Sequence, residues 1–209
     1  MISGIDISAG KWASFSAFVT GVIYALVTAA GLVRLPGPAE QIGQPYFALM
    51  ECLILLNAPL MAISLAAVHY TVEHRYKIFS LVSVCCSFMM TAITSGVHFV
   101  IIASHGTYTK EYPSLFSFKW PSAVYALDIL AWDWFYALAM LFGAVVFRHG
   151  RLQRSIQAVM LISGLFSLTG LAGVASGNMQ VRNAGIIGYG VAGPFAFLLI
   201  NNYLKKQPS

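Results

Sequence analysis

Charge is what this chain has least of. Only 9% of its 209 residues are Asp, Glu, Lys or Arg, against about a quarter in soluble domains, which need charge to cover their surface. With 58% hydrophobic residues and a mean hydropathy of +0.76, a soluble enzyme and a disordered chain are both excluded. Cysteine is scarce as well. Cys52, Cys85 and Cys86 lie in apolar runs with neither a CxxC pair nor a metal-type spacing, which excludes a secreted disulfide scaffold. Several cofactor signatures are missing too. No lysine interrupts an apolar run to carry retinal, and no run holds two histidines spaced for stacked haems. There is no HxxxH set for zinc, no DDxxD for a diphosphate and magnesium, and no GxSG nucleophile. Glu51, His98 and Asp128 could in principle hold a metal, but the reading adopted is metal-free and cofactor-free. The net charge of +5 would suggest nucleic acid in a soluble protein. Here the basic residues are scattered over short loops without interleaved aromatics, so no nucleic-acid partner is expected.

What is present is a series of long apolar runs. A bilayer core of about 30 Å takes roughly 20 helical residues to cross. Six runs qualify: Trp12–Val33, Tyr46–Tyr70, Ile78–Ser104, Pro121–Phe147, Ile156–Ala175 and Ala184–Tyr203. They are continuously apolar rather than alternating, which favours helices over a barrel. The first run is too long for a signal peptide and lacks a clear cleavage site, so it is read as a retained span. The expected fold is all-α: one transmembrane domain over residues 1–209, a polytopic six-helix bundle in a multi-pass membrane protein. The stretch Leu35-Pro36-Gly37-Pro38 ends the first span, and Trp120-Pro121 opens the fourth. Gly106–Lys119, the longest connection, is read as a plain loop. Lys11, Arg75, Lys77, Arg148, Arg151, Arg154, Lys205 and Lys206 fall on one side of such a bundle, and Arg34, Lys110, Lys119 and Arg182 on the other. The positive-inside rule then puts both termini in the cytoplasm, at the cell membrane if the source is bacterial.

Small residues recur on the last two spans. Ser163, Ser167, Gly170, Gly173 and Gly177 share a face of the fifth, and Ala184, Gly188 and Ala192 a face of the sixth, where Gly193-Pro194 suggests a kink. These are contact seams between helices, and the same two spans could join copies in a homo-oligomer. No internal repeat is visible, which argues against an inverted-repeat transporter.

Ionisable groups inside hydrocarbon are costly and usually functional. Glu51, His98 and Asp128 come from three different spans, yet at about 1.5 Å per residue each lies roughly 8–10 Å from the non-cytoplasmic end. Asp133 is deeper by five residues, a turn of about 140° in an α-helix, so the two aspartates should point apart. One would face a cavity and the other bond a neighbouring helix. Ser80, Ser87, Thr91, Thr94, His98 and His105 form a polar stripe that should face the bundle interior. Trp132 lies one turn from Asp128; it and Trp134 look too deep for an interfacial belt. Asn57 and Pro59 follow Glu51, the proline freeing a backbone carbonyl. Arg182 could reach a carboxylate, although an interfacial anchor is the preferred reading.

An acidic, aromatic pocket suggests acid/base chemistry. Desolvation disfavours a carboxylate anion, and a neutral acid can give up a proton. The first hypothesis is therefore an enzyme that isomerises or cyclises a lipophilic isoprenoid- or sterol-like substrate. Asp128 would donate the proton, Glu51 or His98 would act as base or second acid, and Asp133 would complete the catalytic set. Trp132 and Tyr125 would wall the cationic intermediate, with Asn57, Thr91 and Thr94 as further substrate contacts. The alternatives are a proton-coupled transporter or channel, and a non-catalytic membrane subunit.

Overall fold

The computed structural model describes residues 4–35, 37, 40, 42–104 and 107–208, with side chains from residue 7 onward. Pro36, Pro38, Gly106 and His105 of the stripe lie outside the described residues. Six helices are long and apolar enough to cross a membrane, and no strand occurs among the described residues. They are α1 (Gly4–Val33), α2 (Tyr46–Thr71), α3 (Lys77–Ala103), one further continuous helix and two that are interrupted. The fourth span runs α6 (Ala123–Ile129), a wide π turn (Leu130–Tyr136) and α7 (Ala137–Ala144). The fifth is α8 (Gly150–Ser176). The sixth is α9 (Met179–Ile186), a second π turn (Ile187–Ala192) and α10 (Gly193–Leu204). Between the third and fourth spans, the expected plain loop instead folds into two short helices, α4 (Thr107–Glu111) and α5 (Pro113–Phe116).

Each span packs on its sequence neighbours, and the sixth closes the ring on the first. Closure is uneven. The sixth span leans on the first along α10 and on the fifth along α9, which leaves room beside the second half of α1. The distribution of polarity suits lipid: Leu26, Val33, Leu56, Phe99, Leu165 and Phe195 are exposed, whereas Ser14, Ser64, Ser83, Thr94 and His98 are buried. Interior hydroxyls tie helices together, since lipid supplies little hydrophobic drive between them. Ser14 and Ser64 are 2.6 Å apart, Ser83 Oγ donates to Ala139 O at 2.6 Å, and Asn201 Nδ2 donates to Lys11 O at 2.6 Å.

Several local expectations need correction. Helix α1 starts earlier than Trp12, so Lys11 lies inside it. Pro121 precedes the fourth helix rather than opening it; Ser122 caps the helix by accepting from Tyr125 N. Trp134 is exposed on the outer surface, while Trp132 is buried. Gly177 takes no part in the fifth-span seam. It ends α8 in the left-handed conformation at φ 69°, which glycine adopts without penalty. On the sixth span the buried small residues are Gly185, Gly188, Gly193 and Ala196, whereas Ala184 and Ala192 are half-buried.

Candidate functional site

A cavity of about 550 Å³ fills the gap left by the uneven ring, at the end of the bundle opposite the termini. Its walls come from the second half of α1, the first half of α2, the start of the fourth span and the α9 half of the sixth. Leu32, Ile187 and Val191 line it while remaining exposed on the outer surface, so part of its rim, between the first and sixth spans, is apolar.

The polar wall is a chain of charged side chains. His98 is fully buried between two carboxyl groups, with Nδ1 at 2.7 Å from Glu51 Oε2 and Nε2 at 3.3 Å from Asp128 Oδ1. The first contact is a hydrogen bond; the second is an ion-pair approach without hydrogen-bond alignment. Arg182 continues the chain. Its Nη2 donates to Asp128 Oδ2 at 3.0 Å, its Nε to Asp133 Oδ2 at 3.4 Å and its Nη1 to the Tyr125 hydroxyl at 3.2 Å. The same guanidinium stacks 5.1 Å from the Tyr125 ring. Burial of Arg182 to 5% exposure overturns the interfacial-anchor reading. Two carboxylates and the planar fork of the guanidinium explain why it is drawn inward.

The five-residue separation of Asp128 and Asp133 does not keep them apart. Residues 130–136 form a turn hydrogen-bonded i to i+5, which unwinds the rotation between them. Asp128 borders the cavity and Asp133 is wholly buried, yet both reach one guanidinium. The small residues of the last two spans make room for this. A Cβ added at Gly170 would sit 2.7 Å from the Asp133 carboxyl, and one at Gly185 2.9 Å from its Oδ1. The fifth- and sixth-span seams therefore close within one chain, and any contact between copies would have to use other faces of these helices.

Of the anticipated substrate contacts, Trp132, Tyr125 and Asn57 line the cavity. Thr91 and Thr94 do not. Thr91 Oγ1 donates to Ala58 O at 3.0 Å and to Ser87 O at 2.8 Å, holding α3 against α2, and Thr94 Oγ1 is buried without a partner. Asn57 accepts from Thr20 at 2.8 Å. Aromatic residues missing from the sequence reading complete the walls: Tyr24, Phe47, Phe118 and Tyr189. Their signal was weak, since aromatic residues in membrane helices carry no mark of which face they occupy. Phe118, just after the two short helices, lies 5.8 Å from the His98 ring, 5.2 Å from Tyr125 and 6.1 Å from Phe47. Trp132 and Tyr189 pack 5.1 Å apart. Among the described residues, no group of three or more His, Cys, Asp and Glu side chains is arranged to hold a metal ion.

The described residues form an all-helical bundle with six helices long and apolar enough to cross a membrane, enclosing an acid-lined aromatic cavity. No protein-family model, curated protein or solved structure matches the chain.

Proposed function

We propose that this protein is a multi-pass membrane enzyme that isomerises or cyclises a lipophilic, isoprenoid- or sterol-like molecule by proton transfer, without a metal or cofactor. The observation carrying this reading is an acid–aromatic wall inside a cavity rimmed by the exposed apolar residues Leu32, Ile187 and Val191. A molecule dissolved among acyl chains reaches such a cavity without crossing water. Three carboxyl groups face two basic groups in the cluster. An enclosed, low-dielectric setting favours a neutral set, so the cluster holds at least one carboxyl proton available for transfer.

The roles differ from those assigned on sequence alone. Both oxygens of Asp128 are engaged, one by Arg182 and the other by His98. Glu51 uses Oε2 for His98, has no partner for Oε1 among the described residues, and borders the cavity. Glu51 is therefore the proton donor. His98 connects it to Asp128, which Arg182 and Asp133 hold in place. The Glu51 O–H bond breaks as a C–H bond forms at an alkene carbon, leaving a carbocation faced by Trp132, Tyr125, Tyr24 and Tyr189. Loss of a proton from a neighbouring carbon to the Glu51 carboxylate restores the acid and leaves a shifted double bond or a closed ring.

The proposal includes orientation, with both termini in the cytoplasm. The loop cations still favour it, since Arg182 is withdrawn into the bundle and no longer counts against it. The cavity then faces the outer leaflet, in the cell membrane of a bacterial source. The test is turnover of polyprenyl and sterol-like compounds in lipid nanodiscs made up in D2O. One deuterium per product molecule is expected, and Glu51→Gln should cut the rate about 10²–10⁴-fold, the usual contribution of a general acid. Proton-driven flux in proteoliposomes without turnover would replace this reading with transport. The buried Tyr136, Met140, Met160 and Phe147 beyond the cavity floor weigh against a through-path.

A further inference from the structure

We infer that the cavity accepts a cationic polar end and rejects an anionic one, so that its ligands are amphiphiles with a positively charged head or a charge that develops on protonation. The inference rests on the proposed function and narrows its substrate class. Among the described residues, Arg182 is the one basic side chain lining the cavity. A lipid phosphate, a prenyl diphosphate or a fatty-acid carboxylate would need it. Its guanidinium is already committed to Asp128, Asp133 and the Tyr125 hydroxyl, and turning it to an anionic ligand would strand two buried carboxylates. Glu51 and Asp128 border the same space, and an ammonium head seated beside Glu51 takes the place of the acid's proton, so that a carboxylate faces it. Around them stand Tyr24, Phe47, Phe118, Trp132 and Tyr189. Aromatic faces beside carboxylates are the chemistry by which ammonium groups are recognised. The volume of about 550 Å³ lies within the range of small-molecule sites. The apolar rim formed by Leu32, Ile187 and Val191 would leave an alkyl tail pointing into lipid.

The experiment compares decyltrimethylammonium, decyl phosphate and decanol binding to the full-length protein in phosphatidylcholine nanodiscs, by calorimetry. The variant Ala25→Trp, which sets a bulky ring among the lining residues and obstructs the cavity, supplies the background from lipid and protein surface. Above that background, the ammonium compound should bind at least tenfold more tightly than the phosphate. Glu51→Gln should weaken it at least tenfold and leave decanol unchanged. Should Glu51→Gln fail to fold, Tyr24→Leu serves instead, with a loss for the ammonium compound alone. Phosphate binding as tight as ammonium overturns the inference, and so does ammonium binding that none of these variants alters. Selective ammonium binding without turnover of any substrate would sink the enzymatic reading and spare this one. Turnover accompanied by a preference for phosphate would do the reverse.

Discussion

Arg182 shows how a single side chain can reverse its apparent role. By position it is an anchor at the start of a span; in the fold it is buried against Asp128 and Asp133. Removing one partner of such a set leaves uncompensated charge, so Arg182→Met should destabilise the protein by about 3–5 kcal/mol, measured by reversible unfolding in mixed micelles. A change under about 1 kcal/mol, the value of an exposed pair, would mean that the guanidinium does not hold the aspartates. Thr94 makes the opposite case. Its hydroxyl is buried without a partner and lies off the cavity wall, so Thr94→Val should leave turnover unchanged and stability equal or improved, because no hydrogen bond is lost. A marked fall in turnover for Thr94→Val would return that residue to the site. Glu51, His98 and Asp128 were legible beforehand because depth follows from counting residues along straight helices. Which of them bears the free oxygen was not, since that depends on which groups face them from other spans.

At the scale of elements, the two wide turns decide the site. Both occur where a helix contributes to the cavity, Leu130–Tyr136 on the fourth span and Ile187–Ala192 on the sixth. The first brings Asp133 to the same arginine as Asp128, and the second precedes Pro194, which has no N–H to continue a regular ladder. A regular period of 3.6 residues therefore separates a cavity-facing Asp128 from an Asp133 bonded to a neighbouring span, as found, but misses that both reach one arginine. The seams themselves were readable, because close approach in lipid selects small residues. Their tightness gives a graded prediction. A Cβ at Gly188 would lie 2.5 Å from Ser163 O and 2.6 Å from Ser167 N, backbone atoms that cannot yield, whereas one at Gly96 meets nothing within 4 Å. Gly188→Ala should cost about 1–3 kcal/mol through overpacking, and Gly96→Ala should be neutral or stabilising by up to about 1 kcal/mol. Equal melting temperatures for the two variants would contradict the packing described for the fifth and sixth spans.

For the whole molecule, the sixth span leans on the first along α10 and on the fifth along α9, and the cavity lies at the end where the sixth span parts from the first. Orientation is testable at this scale. In intact cells, a membrane-impermeant thiol reagent should label a cysteine at Lys110 and miss one at Lys205, in a background lacking the native cysteines; the reverse pattern would invert the proposed topology. The number of spans and their approximate limits follow from hydropathy alone, because every crossing must satisfy its own backbone within lipid, a demand met locally by each segment. Whether Glu51, His98, Asp128, Asp133 and Arg182 meet is a different kind of question. It turns on how far each helix is rotated, where the helical period widens and which neighbour leans away, and these are set by packing among all six spans at once.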